Sequence, residues 1–160
     1  MENFLIRHAS INDLSGLVKL EQECFTTDLL SKHSFQHLIS ANSAAVLVAT
    51  HERNIIGSLV IFFRKNSKIA RLNSVAVHTN HRRQGIAEAL CQQMEEIARQ
   101  RDCTLLQLEV CVDNHAAIKF YNKSGYNTFA EHAQFYEDGT NAFRMRKNIL
   151  FMHEKGSALT

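Results

Sequence analysis

Two apolar periods alternate along this sequence. In "SINDLSGLVKLEQECF" (residues 10–25) Leu14, Leu17, Val18 and Leu20 recur at helical spacing, and Ser10 or Asn12 offers an N-cap. A second helix is expected over roughly 32–41. The period then changes. "AAVLVAT", "NIIGSLVIFF" and "KIARLNSVAV" are runs of β-branched and apolar residues, divided by the turn-forming "HER" and "RKNS". Loops this short join antiparallel neighbours, so these three strands form a meander. Helical spacing returns from Ile86 to about Arg99, with Ile86, Leu90, Met94, Ile97 and Ala98 on one stripe.

"CTLLQLEVCV" (103–112) reads as a strand again. A strand, a helix and a strand of these lengths make a right-handed crossover, which sets strand 104–112 parallel to strand 70–77. "NHAAIKFYNKSGY" is a further helix, capped by Asn114 and stopped by Gly125. A short strand, "NFLIRHA", precedes the first helix. Two last strands, roughly 126–136 and 141–148, flank the turn "EDGTN". The pattern predicts an α+β architecture: one mixed, twisted sheet with an antiparallel meander, a central parallel pair and helices on both faces. Residues 1–150 are expected to form one domain, with 151–160 a frayed tail.

The 160 residues suit one domain with a real core. A net charge of +2 is too small for nucleic-acid or membrane binding by bulk electrostatics, so any anion site must be local. The apolar run near the start is too short for a signal peptide, and nothing later approaches transmembrane length. Cys24, Cys91, Cys103 and Cys111 lack Cys-x-x-Cys spacing, and three of them sit in apolar-periodic segments. Buried, reduced thiols and a cytoplasmic location are expected.

Candidate chemistry begins at "HTNHRRQGIAEAL" (78–90). Gly85 follows a strand and a short loop and opens a helix, where unpaired N–H groups and the helix dipole favour anions. Glycine lets a phosphate approach the backbone, and an arginine just upstream adds a permanent forked charge. The same residues also suit a plain loop with solvated arginines. Rossmann and Walker fingerprints are absent. In "LLQLEVCV" alternation puts Leu106, Leu108, Val110 and Val112 on one face, and Leu105, Gln107, Glu109 and Cys111 on the other. A glutamate near the end of a parallel strand stands where ligands enter such sheets. It is a candidate general base, or else the partner of a lysine or arginine on a neighbouring element. Tyr121, one helix later with Ala117 and Ile118 on its side, reads as a core-edge aromatic whose hydroxyl reaches water. His33 and His37 have the i, i+4 spacing of a metal pair without a third ligand, and His78, His81 and His115 read as solvated loop residues.

"RRQGIA" fits the pattern Arg/Gln-x-x-Gly-x-Gly/Ala, and "LEVCVDNHAAIKFYNKSGY" is similar, without a gap from Leu108 to Tyr126, to L-E-V-R-x-x-N-x-x-A-x-x-x-Y-x-x-x-G-F/Y. On these two motifs, in this order, the sequence resembles the GNAT N-acetyltransferases, and among them the bacterial ribosomal-protein alanine (RimI-like) enzymes. The resemblance runs over about residues 4–148 and implies the GNAT fold and acetyl-CoA as co-substrate. It implies that Val75, Ala76 and Val77 hold the pantetheine arm and thioester carbonyl. Arg82, Arg83, Gln84, Gly85, Ile86, Ala87 and Glu88 would wrap the pyrophosphate, and Asn114 would touch the cofactor. Glu109 becomes the base, Tyr121 the acid, and Tyr136 a lining of the acceptor groove. It implies acetyl transfer to a primary amine, with a protein N-terminus as the first expectation and a small amine or lysine side chain as the second. A non-catalytic acetyl-CoA sensor is the rival, and a homodimer is compatible with the reading. Ala87 stands for the commoner second glycine, Cys111 for the usual arginine, and "VHTNH" lacks the usual proline. The change at Cys111, beside Glu109, bears on the acceptor more than on the reaction.

Overall fold

A computed structural model of the chain describes residues 3–150; the expected tail at 151–160 lies outside them. Seven strands form one sheet. The expected meander is β2 (Ala44–His51), β3 (Asn54–Phe63) and β4 (Ile69–Val77), and β1 (Leu5–His8) pairs antiparallel with β2 at its edge. Glu52 and Arg53 both take positive φ between His51 and Asn54, the turn geometry that matches the twist of a two-residue hairpin. The predicted crossover is present. β4 leads through α3 (Ile86–Gln100) to β5 (Leu105–Cys111), which lies parallel to β4.

The stripe on α3 decides which side it covers. Ile86, Leu90, Met94, Ile97 and Ala98 are buried against a core that includes Leu47, Leu59, Leu106, Leu108 and Met145. The opposite face of the meander is covered by α1 (Leu14–Cys24) and α2 (Lys32–Ser40), with Leu14, Leu17 and Phe35 packed on Val46, Val48 and Val60. Ser31 caps α2, its hydroxyl accepting the Ser34 N–H at 3.1 Å. Before α1 a 3₁₀ turn intervenes at Ile11–Asp13, and Ser10 caps that turn. The Asp13 carboxylate accepts the Ser10 N–H and pairs with Arg7, each at 2.7 Å. α4 (His115–Lys123) packs on the α3 side through Ala117, Ile118, Phe120 and Tyr121.

Both expected C-terminal strands are present, the first shorter than expected. The strand expected over 126–136 is β6 (Asn127–His132), and β7 (Ala142–Asn148) lies between β5 and β6. Gln134 takes a positive φ, and its N–H bonds to Asn141 Oδ1. The chain therefore leaves the sheet at residue 133, and Phe135 and Tyr136 sit in a loop.

Candidate active site

The pairing of β4 with β5 runs from Ile69–Leu105 to Leu72–Leu108 and stops there. Beyond it β4 stays with β3 as far as Val77, while β5 stays with β7 as far as Cys111. The sheet is split over its last few residues. His78 N–H bonds to Ile56 O, so by antiparallel alternation Ala76 also turns its amide toward β3. Val75 and Val77 then direct theirs into the split. The Val77 carbonyl accepts the Arg82 Nε–H at 3.2 Å and the Cys24 thiol at 3.5 Å.

At one mouth of the split lies the start of α3. Gly85 caps the helix at φ 81°, ψ 11°, a left-handed conformation that glycine adopts at little cost. Arg83 is also left-handed, at φ 64°. Among the described residues, no N–H from 83 to 88 meets an acceptor; the first helical bond is Ala89 N–H to Gly85 O at 3.0 Å. A run of unsatisfied donors at the positive end of a fifteen-residue helix is a cradle for an anion. Arg82, Arg83 and Gln84 are exposed around it, Ala87 is half-buried, and Glu88 is exposed in the first turn. Ile86 buries its side chain, so only its backbone faces the cradle. Its Cγ2 lies 2.8 Å from where a Cβ on Gly57 would stand, so the helix start rests directly on β3.

The other mouth opens into a hollow of about 590 Å³ that contains Glu109, Asn114, Tyr121 and Tyr136. Glu109 lies on the face opposite the α3 core, as the alternation predicts. Its carboxylate is paired: Arg71 Nη2 is 2.8 Å from Oε1, and Arg144 Nε is 3.3 Å from Oε2. Two neighbouring strands thus orient it, the arginine pairing weighed beside the base role. Tyr121 stacks edge-on against Tyr126, and burial pushes its phenol well above the usual tyrosine range. Tyr136 is pushed up to about 12, chiefly by burial and then by the Cys111 and Glu109 charges. Asn114 Oδ1 is occupied by capping Ala117 N–H at 3.1 Å, which leaves its amide protons for a ligand.

The same hollow is lined by residues that no motif had singled out for a site: Glu21, Cys24, Phe25 and Asp28, from the end of α1 and the loop after it. That loop reaches across the mouth, where Glu137 Oε1 accepts the Asp28 N–H at 2.9 Å. Glu21 is 3% exposed, and burial raises its carboxyl above the usual range. All four cysteines are free, but only Cys91 and Cys103 are buried; Cys24 and Cys111 are half-buried beside the hollow. His78 differs from a solvated loop residue. Its Nδ1 accepts the Asn80 N–H at 3.1 Å, and Nε2 lies 2.6 Å from Glu23. His33, His37 and His115 are exposed.

Parallel strands that part beside an anion cradle define the GNAT fold. The chain belongs to the acetyltransferase (GNAT) family, whose sequence profile matches residues 14–126, and it is a GNAT-type N-acetyltransferase. It is 26% identical over 148 residues to the N-terminal acetyltransferase A complex catalytic subunit NAA10 of Arabidopsis thaliana, covering 90% of this chain and 77% of that one. The solved structure of Ard1 from Thermoplasma volcanium superposes with a TM-score of 0.84 at 28% identity, covering 93% and 99% of the two chains. The ribosomal-protein-S18-alanine N-acetyltransferase of Escherichia coli shares the fold, with a TM-score of 0.80 at 23% identity over 91% and 94%. The family uses acetyl-CoA. Among the described residues no helix is long and apolar enough to cross a membrane.

Proposed function

We propose that this enzyme carries acetyl from acetyl-CoA directly to the α-amine of a protein N-terminus. The observation that carries this reading is the split between β4 and β5. It joins the unsatisfied amides of residues 83–88 at one end to a hollow holding a carboxylate and two tyrosines at the other. Arg82 and Arg83, with the backbone from Gln84 to Glu88, hold the diphosphate. Val75 and Val77 present amides to the pantetheine arm and to the thioester carbonyl, where a fixed N–H stabilises developing negative charge. Asn114 adds an amide donor at the start of α4.

An acceptor amine at neutral pH is mostly ammonium and must lose a proton before it attacks. Glu109, oriented by Arg71 and Arg144, takes that proton. Tyr121 stays protonated at every working pH because of its burial, and it returns a proton to the departing sulfur. The half-open hollow, with the α1–α2 loop on one side and the β6–β7 loop on the other, admits a chain end. NAA10 of A. thaliana is named for acetylating N-termini, which supports the same acceptor.

The test is CoA release from acetyl-CoA with a panel of peptides, free amino acids and a lysine peptide blocked at its N-terminus. Peptide α-amines are expected to turn over fastest. Binding of CoA without turnover of any acceptor overturns the reading in favour of a sensor.

A further inference from the structure

On the α1 side of the sheet, the helices cover the meander and leave β5, β7 and β6 bare. Glu109 and Arg71 form a wall there between two hollows: the one holding Tyr121 and Tyr136, and a second of about 430 Å³ that runs on toward the β3–β4 turn. The second is lined by Arg64, Arg71, Arg144 and Gln107, together with Phe62 and Phe63. Arg146 follows Arg144 by two residues on β7 and so shares its face, its guanidinium 4.6 Å above the Phe129 ring.

Charge divides these hollows sharply. Glu21, Asp28, Glu109 and Asp138 line the first, with Arg71 as their one cationic neighbour there. In the second, Glu109 is the single acid against three arginines. Its two oxygens are already shared by Arg71 and Arg144, and Arg144 Nε is buried without a well-aligned acceptor. Arg64 is exposed and has no acidic partner among the described residues. Guanidiniums in excess over carboxylates, on a sheet face with apolar shoulders, form a surface for extended chain bearing carboxylates.

We infer that this second hollow is a subsite for acidic side chains just downstream of the acceptor amine, so that the preferred acceptor is an acidic N-terminus. The inference rests on the proposed peptide acceptor. Glu109 is level with Arg144, and Gln107 with Arg71 and Arg146. An extended acceptor whose first residue lies beside Cys111 therefore passes Arg144 at its third residue and Arg71 and Arg146 at its fifth, with Arg64 about two residues further on. The ammonium lies among carboxylates while the following residues lie among guanidiniums. A free phosphate matches the second half of this pattern alone, and a basic peptide matches neither half beyond its first residue.

The experiment uses the full chain with acetyl-CoA and three peptides that differ only at residues three, five and seven: three glutamates, three glutamines or three lysines. Expected is a KM for the glutamate peptide at least about tenfold below that for glutamine at low salt, the gap shrinking as salt screens it. The Arg64→Glu, Arg146→Glu double variant brings the ratio close to one, and Lys123→Glu on α4 leaves it intact. Equal KM values for glutamate and glutamine peptides, or a ratio that survives the double variant, overturn the subsite while leaving acetyl transfer standing. Anisotropy of a labelled glutamate peptide separates the reverse case. Binding that the double variant abolishes, with no CoA released, upholds the subsite and removes the transfer reading. Displacement of that peptide by an unstructured RNA at lower concentration than by unlabelled peptide overturns the acidic-peptide assignment.

Discussion

Arg71 and Glu109 meet across the last paired stretch of the two parallel strands, with Nη2 at 2.8 Å and Nε at 2.9 Å from the same carboxylate oxygen. Both lie at the point where β4 and β5 begin to part, so a pair that steadies the sheet also holds the carboxylate proposed to accept a proton. Glu109→Gln is expected to lower kcat by about 10²-fold or more, the scale of a lost general base. Arg71→Gln acts through Glu109, so in the Glu109→Gln background it adds little further loss. A double-mutant cycle on kcat reads this directly, and full additivity counts against the positioning role.

Tyr121→Phe removes the hydroxyl and keeps the ring stack on Tyr126. Turnover is expected to fall by roughly 10²-fold while CoA affinity stays within about threefold. Isothermal titration and single-turnover acetylation measure the two halves. Unchanged turnover would remove the phenol from proton transfer.

Gly85→Val places a β-branched side chain at φ 81° over the unsatisfied amides. The left-handed conformation alone costs about 1–2 kcal/mol for an L-residue. CoA affinity is expected to drop at least about tenfold, and Arg83→Glu is expected to weaken it further. Gly57→Ala acts from beneath: its methyl meets Ile86 Cγ2 at 2.8 Å, so about 1–3 kcal/mol of stability is lost as α3 shifts. Urea unfolding beside CoA titration separates a cradle effect from a packing effect.

Two buried carboxylates give opposite slopes with pH. The Arg7 hydrogen bond holds Asp13 below the usual range, so its contribution is present above about pH 3.9 and is lost as pH falls through the folded value. Burial raises Glu21, so the folded state binds the proton more tightly, and stability falls as pH climbs from about 4.3 through the folded value. At pH 7 Asp13→Asn is therefore expected to be less stable than the parent, and Glu21→Gln more stable. In urea titrations the Glu21 difference closes near pH 4, whereas the Asp13 difference only begins to narrow below about pH 3.9 and closes as pH falls through the lowered folded value. A Glu21→Gln variant that is no more stable at pH 7 contradicts the desolvation argument.

Most of the scaffold was legible because its signals are local. The α3 stripe from Ile86 to Ala98, the alternation of Leu106, Leu108 and Val110, and the cap at Asn114 each follow from spacing within one element. Gly85 was legible as the bare backbone position that opens a helix after a short loop. The α1–α2 loop carries no such signal. Cys24 and Asp28 reach the hollow through contacts with residues more than fifty positions away, Val77 and Glu137. The insertion of β7 between β5 and β6 is likewise a long-range outcome, and the exit of the chain at Gln134 depends on Asn141 in the following loop. Glu109 read either as a base or as an ion-pair partner. The structure supplies its two arginines, which spacing along one strand had no means of naming.

The seam between β4 and β5 passes through the whole thickness of the sheet, since residues of α1 on one side and α4 on the other border the same hollow. In the proposed reaction, donor and acceptor therefore approach from opposite directions, and neither must leave for the other to arrive. An acceptor as bulky as a folded protein, or a nascent chain still attached to its factory, need only thread its tip through the front while the nucleotide end of the donor hangs out behind.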